Sequence, residues 1–177
     1  LPFISLGVVP IPGNGDSTIT VTNSSPFEAK LVRVISTQQA ATVTPTTATL
    51  AASGGTATFD ITFPAKSGGI LRDTLKFVFD KPCQDTITCY VEVTGIRANL
   101  GFRNELNFLD VLSCQQRADS VSYTNTGQAN LTINSMTITG KDAAVFSFTS
   151  PMTSPVILTP GETRKWEVLF SPLYTTD

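Results

Sequence analysis

The chain has 177 residues, 41% hydrophobic and 15% charged, a balance that excludes a disordered polypeptide and suits one or two folded domains. Twelve basic and fourteen acidic residues leave a net charge of −2 without long blocks of either sign, so the basic face of an ordinary nucleic-acid binder is missing. Histidine is absent, which removes Ser-His-Asp and Cys-His nucleophiles and the His ligands of zinc and non-haem iron sites.

Alternation with period two dominates from the start. Ser17–Thr22 sets Ile19 and Val21 on one face against threonines on the other. Thr56–Phe63 turns Ala57, Phe59, Ile61 and Phe63 inward, and Leu71–Phe79 does so with Leu71, Leu75, Phe77 and Phe79. Thr86–Val93 is expected to bury Ile87, Cys89, Val91 and Val93. Each pattern predicts an antiparallel strand with one wet face, favoured by its β-branched residues. Turn residues separate the blocks, among them Pro12-Gly13-Asn14-Gly15, Ser53-Gly54-Gly55, Ser67-Gly68-Gly69 and Thr159-Pro160-Gly161. No apolar run approaches the roughly 18 residues of a membrane-spanning helix. The fold class is all-β.

The chain reads twice. Thr22-Asn23-Ser24 returns as Thr124-Asn125-Thr126, 102 residues on, and Leu6-Gly7-Val8-Val9 lies over Leu109-Asp110-Val111-Leu112. Phe59-Asp60-Ile61-Thr62-Phe63-Pro64 matches the Trp166–Pro172 segment. An offset near 100 residues predicts two tandem Ig-like β-sandwiches, 1–96 and 97–177. Leu71–Phe79 and Asp85–Thr94 of the first copy have no counterpart after Phe170, so the second sandwich is expected to lack its last two strands. Either the chain is a piece of a longer protein, or another segment or molecule fills the gap.

The second half carries Phe108-Leu109-Asp110-Val111, Val121-Ser122-Tyr123-Thr124-Asn125-Thr126-Gly127, Leu131-Thr132-Ile133, Gly140–Phe146, Leu158-Thr159-Pro160-Gly161-Glu162 and Val168-Leu169-Phe170-Ser171-Pro172. This set resembles the bacterial Ig-like modules of the ASH (ASPM–SPD-2–Hydin) type found in choice-of-anchor D surface proteins, relatives of the major sperm protein and PapD-like sandwiches. The first half resembles them more distantly, with Asn23-Ser24-Ser25 in place of Asn-Thr-Gly, and keeps the closing Val91-Glu92-Val93-Thr94-Gly95. The resemblance implies the fold and the role of spacer, adhesive segment or scaffold. In the Asn-Thr-Gly turn, Asn125 is expected to bond the turning backbone and Gly127 to take a positive φ. Pro160-Gly161 fits the centre of a type II turn.

The remaining chemistry is sparse. The three cysteines are Cys83, Cys89 and Cys114; any disulfide pairing among them stays open, Cys89 reads as a buried small hydrophobe, and Cys114 ends the first strand of the second copy. Without histidine they do not make a tetrahedral zinc set, and the dispersed carboxylates suggest no acid/base pair, so no cofactor and no enzymatic activity are expected. Asn23 and Asn130 head Asn-x-Ser/Thr triplets for N-glycosylation. Ser17, Thr74, Thr86 and Ser120 follow aspartates, a pattern similar to bacterial O-glycosylation acceptors, although Asp also simply opens strands. Trp166 shares a face with Val168 and Phe170 and reads as core.

The reading that gathers these points is a non-catalytic structural or adhesive module of an extracellular or cell-surface bacterial protein, with the periplasm as alternative. Its partners would be other domains of a longer chain or neighbouring protein subunits, without nucleic acid or a membrane span. Two alternatives stand beside it. One is a self-assembling filament subunit, a homo-oligomer in which Leu1–Val9 of one molecule, through Phe3, Ile4, Leu6 and Val8, completes the second sandwich of the next by donor-strand complementation. The other is a carbohydrate- or protein-binding accessory module of a secreted enzyme.

Overall fold

The threonine-rich alternation folds into strands in a computed structural model that describes residues 2–103 and 105–172. The chain divides into two compact units, Leu1–Ile96 and Arg97–Asp177.

In the first unit the strands are β1 (Phe3–Pro10), β2 (Gly13–Asn23), β3 (Ala29–Ser36), β4 (Thr42–Thr44), β5 (Ala48–Leu50), β6 (Gly55–Ala65), β7 (Gly69–Lys81) and β8 (Asp85–Ile96). They form one sheet of order β1-β8-β7-β3-β5 and a second of order β2-β6-β4. The inward positions expected from the alternation meet between them: Phe59, Ile61 and Phe63 from β6, Leu75, Phe77 and Phe79 from β7, and Val91 and Val93 from β8 are all buried. Phe59 and Phe77 meet edge to face at 5.4 Å. Such rings add specific contact energy to the area they remove from water.

Ile87 departs from expectation. It keeps the inward register of Cys89, yet it is 44% exposed. β1 begins to pair with β8 at Tyr90, so among the described residues no strand flanks β8 on that side at Ile87. A second difference is the direction of β1, which runs parallel to β8 whereas every other strand pair is antiparallel among the described residues.

The second unit holds β9 (Leu100–Phe102), β10 (Arg117–Asn125), β11 (Leu131–Ile133), a 3₁₀ turn (Ala143–Val145), β12 (Phe146–Phe148), β13 (Val156–Leu158) and β14 (Thr163–Phe170). β12-β14-β10-β9 form one sheet and β11-β13 another. The repeat is one of register as well as of letters. Ile19 pairs with Phe59 four residues before Asn23, and Val121 pairs with Trp166 four residues before Asn125. Leu50 pairs with Ala29 as Leu158 pairs with Leu131.

Leu109–Leu112, expected to repeat the first strand, form no strand. Asn107 Oδ1 accepts the Leu109 N–H at 2.9 Å, and Leu109 takes a φ of 52°, which breaks extension there. The unit opens instead with β9 on β10. Cys114 accordingly lies in an exposed turn before β10 and does not end a strand.

Candidate functional site

Among the described residues three buried polar side chains, Asn23, Asp73 and Asn125, stand out against the apolar interior. Burial of such groups is costly unless they are fully hydrogen-bonded, so their partners state their roles. Asn23 closes β2. Its Nδ2 donates to the carbonyls of Phe27 at 2.7 Å, Ala51 at 3.0 Å and Leu50 at 3.2 Å, while its Oδ1 accepts from the Ser25 N–H at 3.1 Å. Asn125 closes β10 in the same way. Its Nδ2 donates to Ala129 at 2.8 Å and Leu158 at 2.9 Å, and its Oδ1 accepts from the Gly127 N–H at 3.0 Å. The expectation that Asn125 bonds the turning backbone describes this; the distant strand end it also grips, at Leu158, was not legible.

Gly127 does not take the positive φ expected of it. The residue is needed for room, because a Cβ there would run into the backbone of Arg97–Asn99. Gly161, with φ +80° and the Glu162 N–H donating to the Thr159 carbonyl at 3.0 Å, completes the type II turn.

Asp73 is the buried carboxylate that chain reading missed, although it stands at an inward position between Leu71 and Leu75. It accepts from the hydroxyls of Ser36 and Thr37 and from the N–H groups of Thr74 at 2.6 Å, Gln38 and Ala41 at 3.0 Å, and Ala40 at 3.2 Å. Burial alone would raise its pKa, but the bonds from Ser36, Ala41, Gln38 and Thr74 outweigh it and hold the carboxyl below its usual range. One side chain thereby organises the whole loop between β3 and β4.

The other expected sites scatter. Cys83 and Cys114 are exposed, Cys89 is buried, and all three thiols are free; burial pushes the Cys89 thiol pKa up. Asn130 is exposed, whereas the amide of Asn23 is spent on the clamp just described. Thr86 is exposed, and Ser17, Thr74 and Ser120 are half-buried. Their aspartates have structural partners: Asp16 accepts from Thr62, Asp85 from the Thr86 N–H, and Asp119 from Arg103, Asn107 and Ser120. Trp166 is half-buried and packs edge to face on Tyr123 at 5.3 Å. No group of three His, Cys, Asp or Glu gathers as a metal would require among the described residues. No helix among them is long and apolar enough to cross a membrane.

One apolar surface lies open. β11 pairs with β13 on one side and with no strand on the other among the described residues. In the first unit the corresponding edge of β3 is taken by β7, where Leu31 faces Phe79. The consequence shows residue by residue. Phe59, Leu31 and Phe63 are fully buried, while their counterparts Trp166, Ile133 and Phe170 are only half-buried. Elsewhere in the same unit, a cleft of about 520 Å³ is lined by Phe108, Val121, Tyr123, Phe146, Phe148 and Val168.

No family model and no curated protein matches the chain. Among solved structures it is similar to the ASH/PapD-like domain 7 of human CEP192, at 15% identity and TM-score 0.48, over 55% of this chain and 82% of that one. It is similar also to a protein of unknown function from Porphyromonas gingivalis, at 11% identity and TM-score 0.43, over 93% of this chain and 78% of that one. The E. coli chaperone DraB is a third, at 10% identity and TM-score 0.39, over 93% and 87%.

Proposed function

We propose that the chain is a non-catalytic structural segment of an extracellular or cell-surface bacterial protein, holding other domains or subunits apart. The observation that supports this reading is the use made of its buried polar groups. Asn23, Asp73 and Asn125 are each satisfied by backbone groups and hydroxyls of the fold itself, which fixes loops and leaves those groups no free valence for a substrate. A module of this kind should run as a monomer in size-exclusion chromatography and show no retention on a glycan array. Specific retention of one glycan class would replace this reading by that of an accessory module.

A second reading is favoured by the edge of β11, which has no second strand partner among the described residues, and by the apolar cleft in the same unit. There the second unit would accept an extended strand from another polypeptide, as sheet edges do in strand-addition complexes. The N-terminal strand, the donor of the self-assembly alternative, is occupied within its own unit. Leu1 lies outside the described residues, but Phe3–Pro10 is already paired along β8, and Leu6 is buried in its own unit. A synthetic peptide of the β7 sequence, residues 69–81, serves as probe, read through the fluorescence of Trp166. Saturable binding that is lost when Leu75, Phe77 and Phe79 of the peptide are replaced by serine supports strand acceptance; no binding removes it.

A further inference from the structure

β1 and β8 are the first and last strands of the first unit, and they lie side by side in parallel. Phe3, Ile4 and Ser5 face Tyr90, Val91 and Glu92; past a bulge, Val8, Val9 and Pro10 face Thr94, Gly95 and Ile96. The pairing continues at both ends, where the Tyr90 N–H donates to the Pro2 carbonyl at 2.9 Å and the Ile11 N–H to the Ile96 carbonyl at 2.8 Å. Among the described residues β1 is an edge strand whose sheet partner is β8 alone, and it is pinned to the core by buried Leu6 with Ile4 and Val9 against it.

This placement decides how tension enters the unit. The chain comes in at the start of β1 and leaves at the end of β8, and in a parallel pair those two points lie at opposite ends. A pull on the chain therefore drives the strands past one another along their axes. Every backbone bond of the pair then carries load at once, and all must fail together. In an antiparallel terminal pair the same pull would open the bonds one after another. We propose that the β1–β8 pair is a load-bearing clamp that makes this unit resist tension applied along the chain. The inference rests on the reading of the chain as a tethered spacer, and it concerns a property that thermal stability does not report.

The molecule carries its own control. Cys83 is an exposed thiol in the turn just before β8, on the same side of the pair as the start of β1. Force applied between the N-terminus and Cys83 folds β1 back from Phe3 and breaks its bonds singly, in the same fold. The experiment is single-molecule force spectroscopy on the full chain with Cys114→Ser, which leaves Cys83 as the exposed thiol. The chain is pulled once through its two termini and once through the N-terminus and Cys83. Events of this unit are recognised by the length released, roughly 0.33–0.36 nm per residue. At one loading rate, the mean unfolding force through the termini should be at least twice that through Cys83. Equal forces, or a lower force through the termini, overturn the clamp while leaving the spacer reading untouched; glycan retention overturns the spacer while leaving the clamp.

Discussion

Asn23 and Asn125, 102 residues apart in the chain, perform one task in their respective units. Each ends a long strand and ties its own turn, at the carbonyl four residues on, to the leucine that closes a short strand, Leu50 in one case and Leu158 in the other. Asn125→Ala should strand the buried carbonyls of Ala129 and Leu158, at about 1–3 kcal/mol for each unsatisfied group. Asn125→Asp should be worse at neutral pH, because an ionised carboxylate would face those oxygens. Its folded-state pKa would be raised, so stability is regained below the ordinary aspartate value of about 3.9 and lost as pH rises through the folded value. Denaturant titrations at pH 3.5 and 7 check both; a pH-independent loss on Asn125→Asp would contradict the geometry.

Asp73 has the opposite sign. Its folded-state pKa is lowered, so the stability it confers is fully present above about 3.9 and disappears as pH falls through the lower folded value. Asp73→Asn replaces acceptor lone pairs by N–H groups that point at other N–H groups, and a cost of about 2–4 kcal/mol is expected. The acid limb of a plot of melting temperature against pH should flatten in the variant. An unchanged acid limb would show that Asp73 does not govern it.

Two glycines should respond differently to alanine. At Gly161 the penalty is conformational, about 1 kcal/mol, since φ is +80° and the space beyond is open. At Gly127 the added methyl meets the Arg97–Asn99 backbone, and the loss should exceed that of Gly161→Ala by a further ~1–3 kcal/mol of overpacking. Thermal melts of the two variants rank them; the reverse order would refute the packing argument.

The thiols separate by burial. Under native conditions a thiol reagent should titrate Cys83 and Cys114 quickly and reach Cys89 only after denaturant is added. Immediate reaction of all three would mean that the β7–β8 sheet opens at Cys89 without global unfolding.

Much of this architecture was legible beforehand. The inward facing of Phe59, Ile61 and Phe63 followed from alternation, because a strand with one wet face must keep its apolar side chains two apart. The Pro160-Gly161 turn was legible for a comparable reason, as the backbone there demands a residue free to take a positive φ. The misplaced repeat at Leu109–Leu112 shows the limit. A single carboxamide at Asn107 diverts the chain, and such a local bond leaves no mark on hydrophobic period.

The amino-acid order alone determined which segments extend, which faces turn inward and where the chain repeats itself, since these depend on neighbours a few residues away. Tertiary structure alone decided that β1 lies parallel to β8, that Asp73 gathers its donors from a loop more than thirty residues distant, and that β11, among the described residues, keeps an open edge where β3 has β7. Those outcomes depend on which strands become neighbours in space. Side-chain alternation is the same for a parallel as for an antiparallel partner, and for a paired as for an unpaired edge.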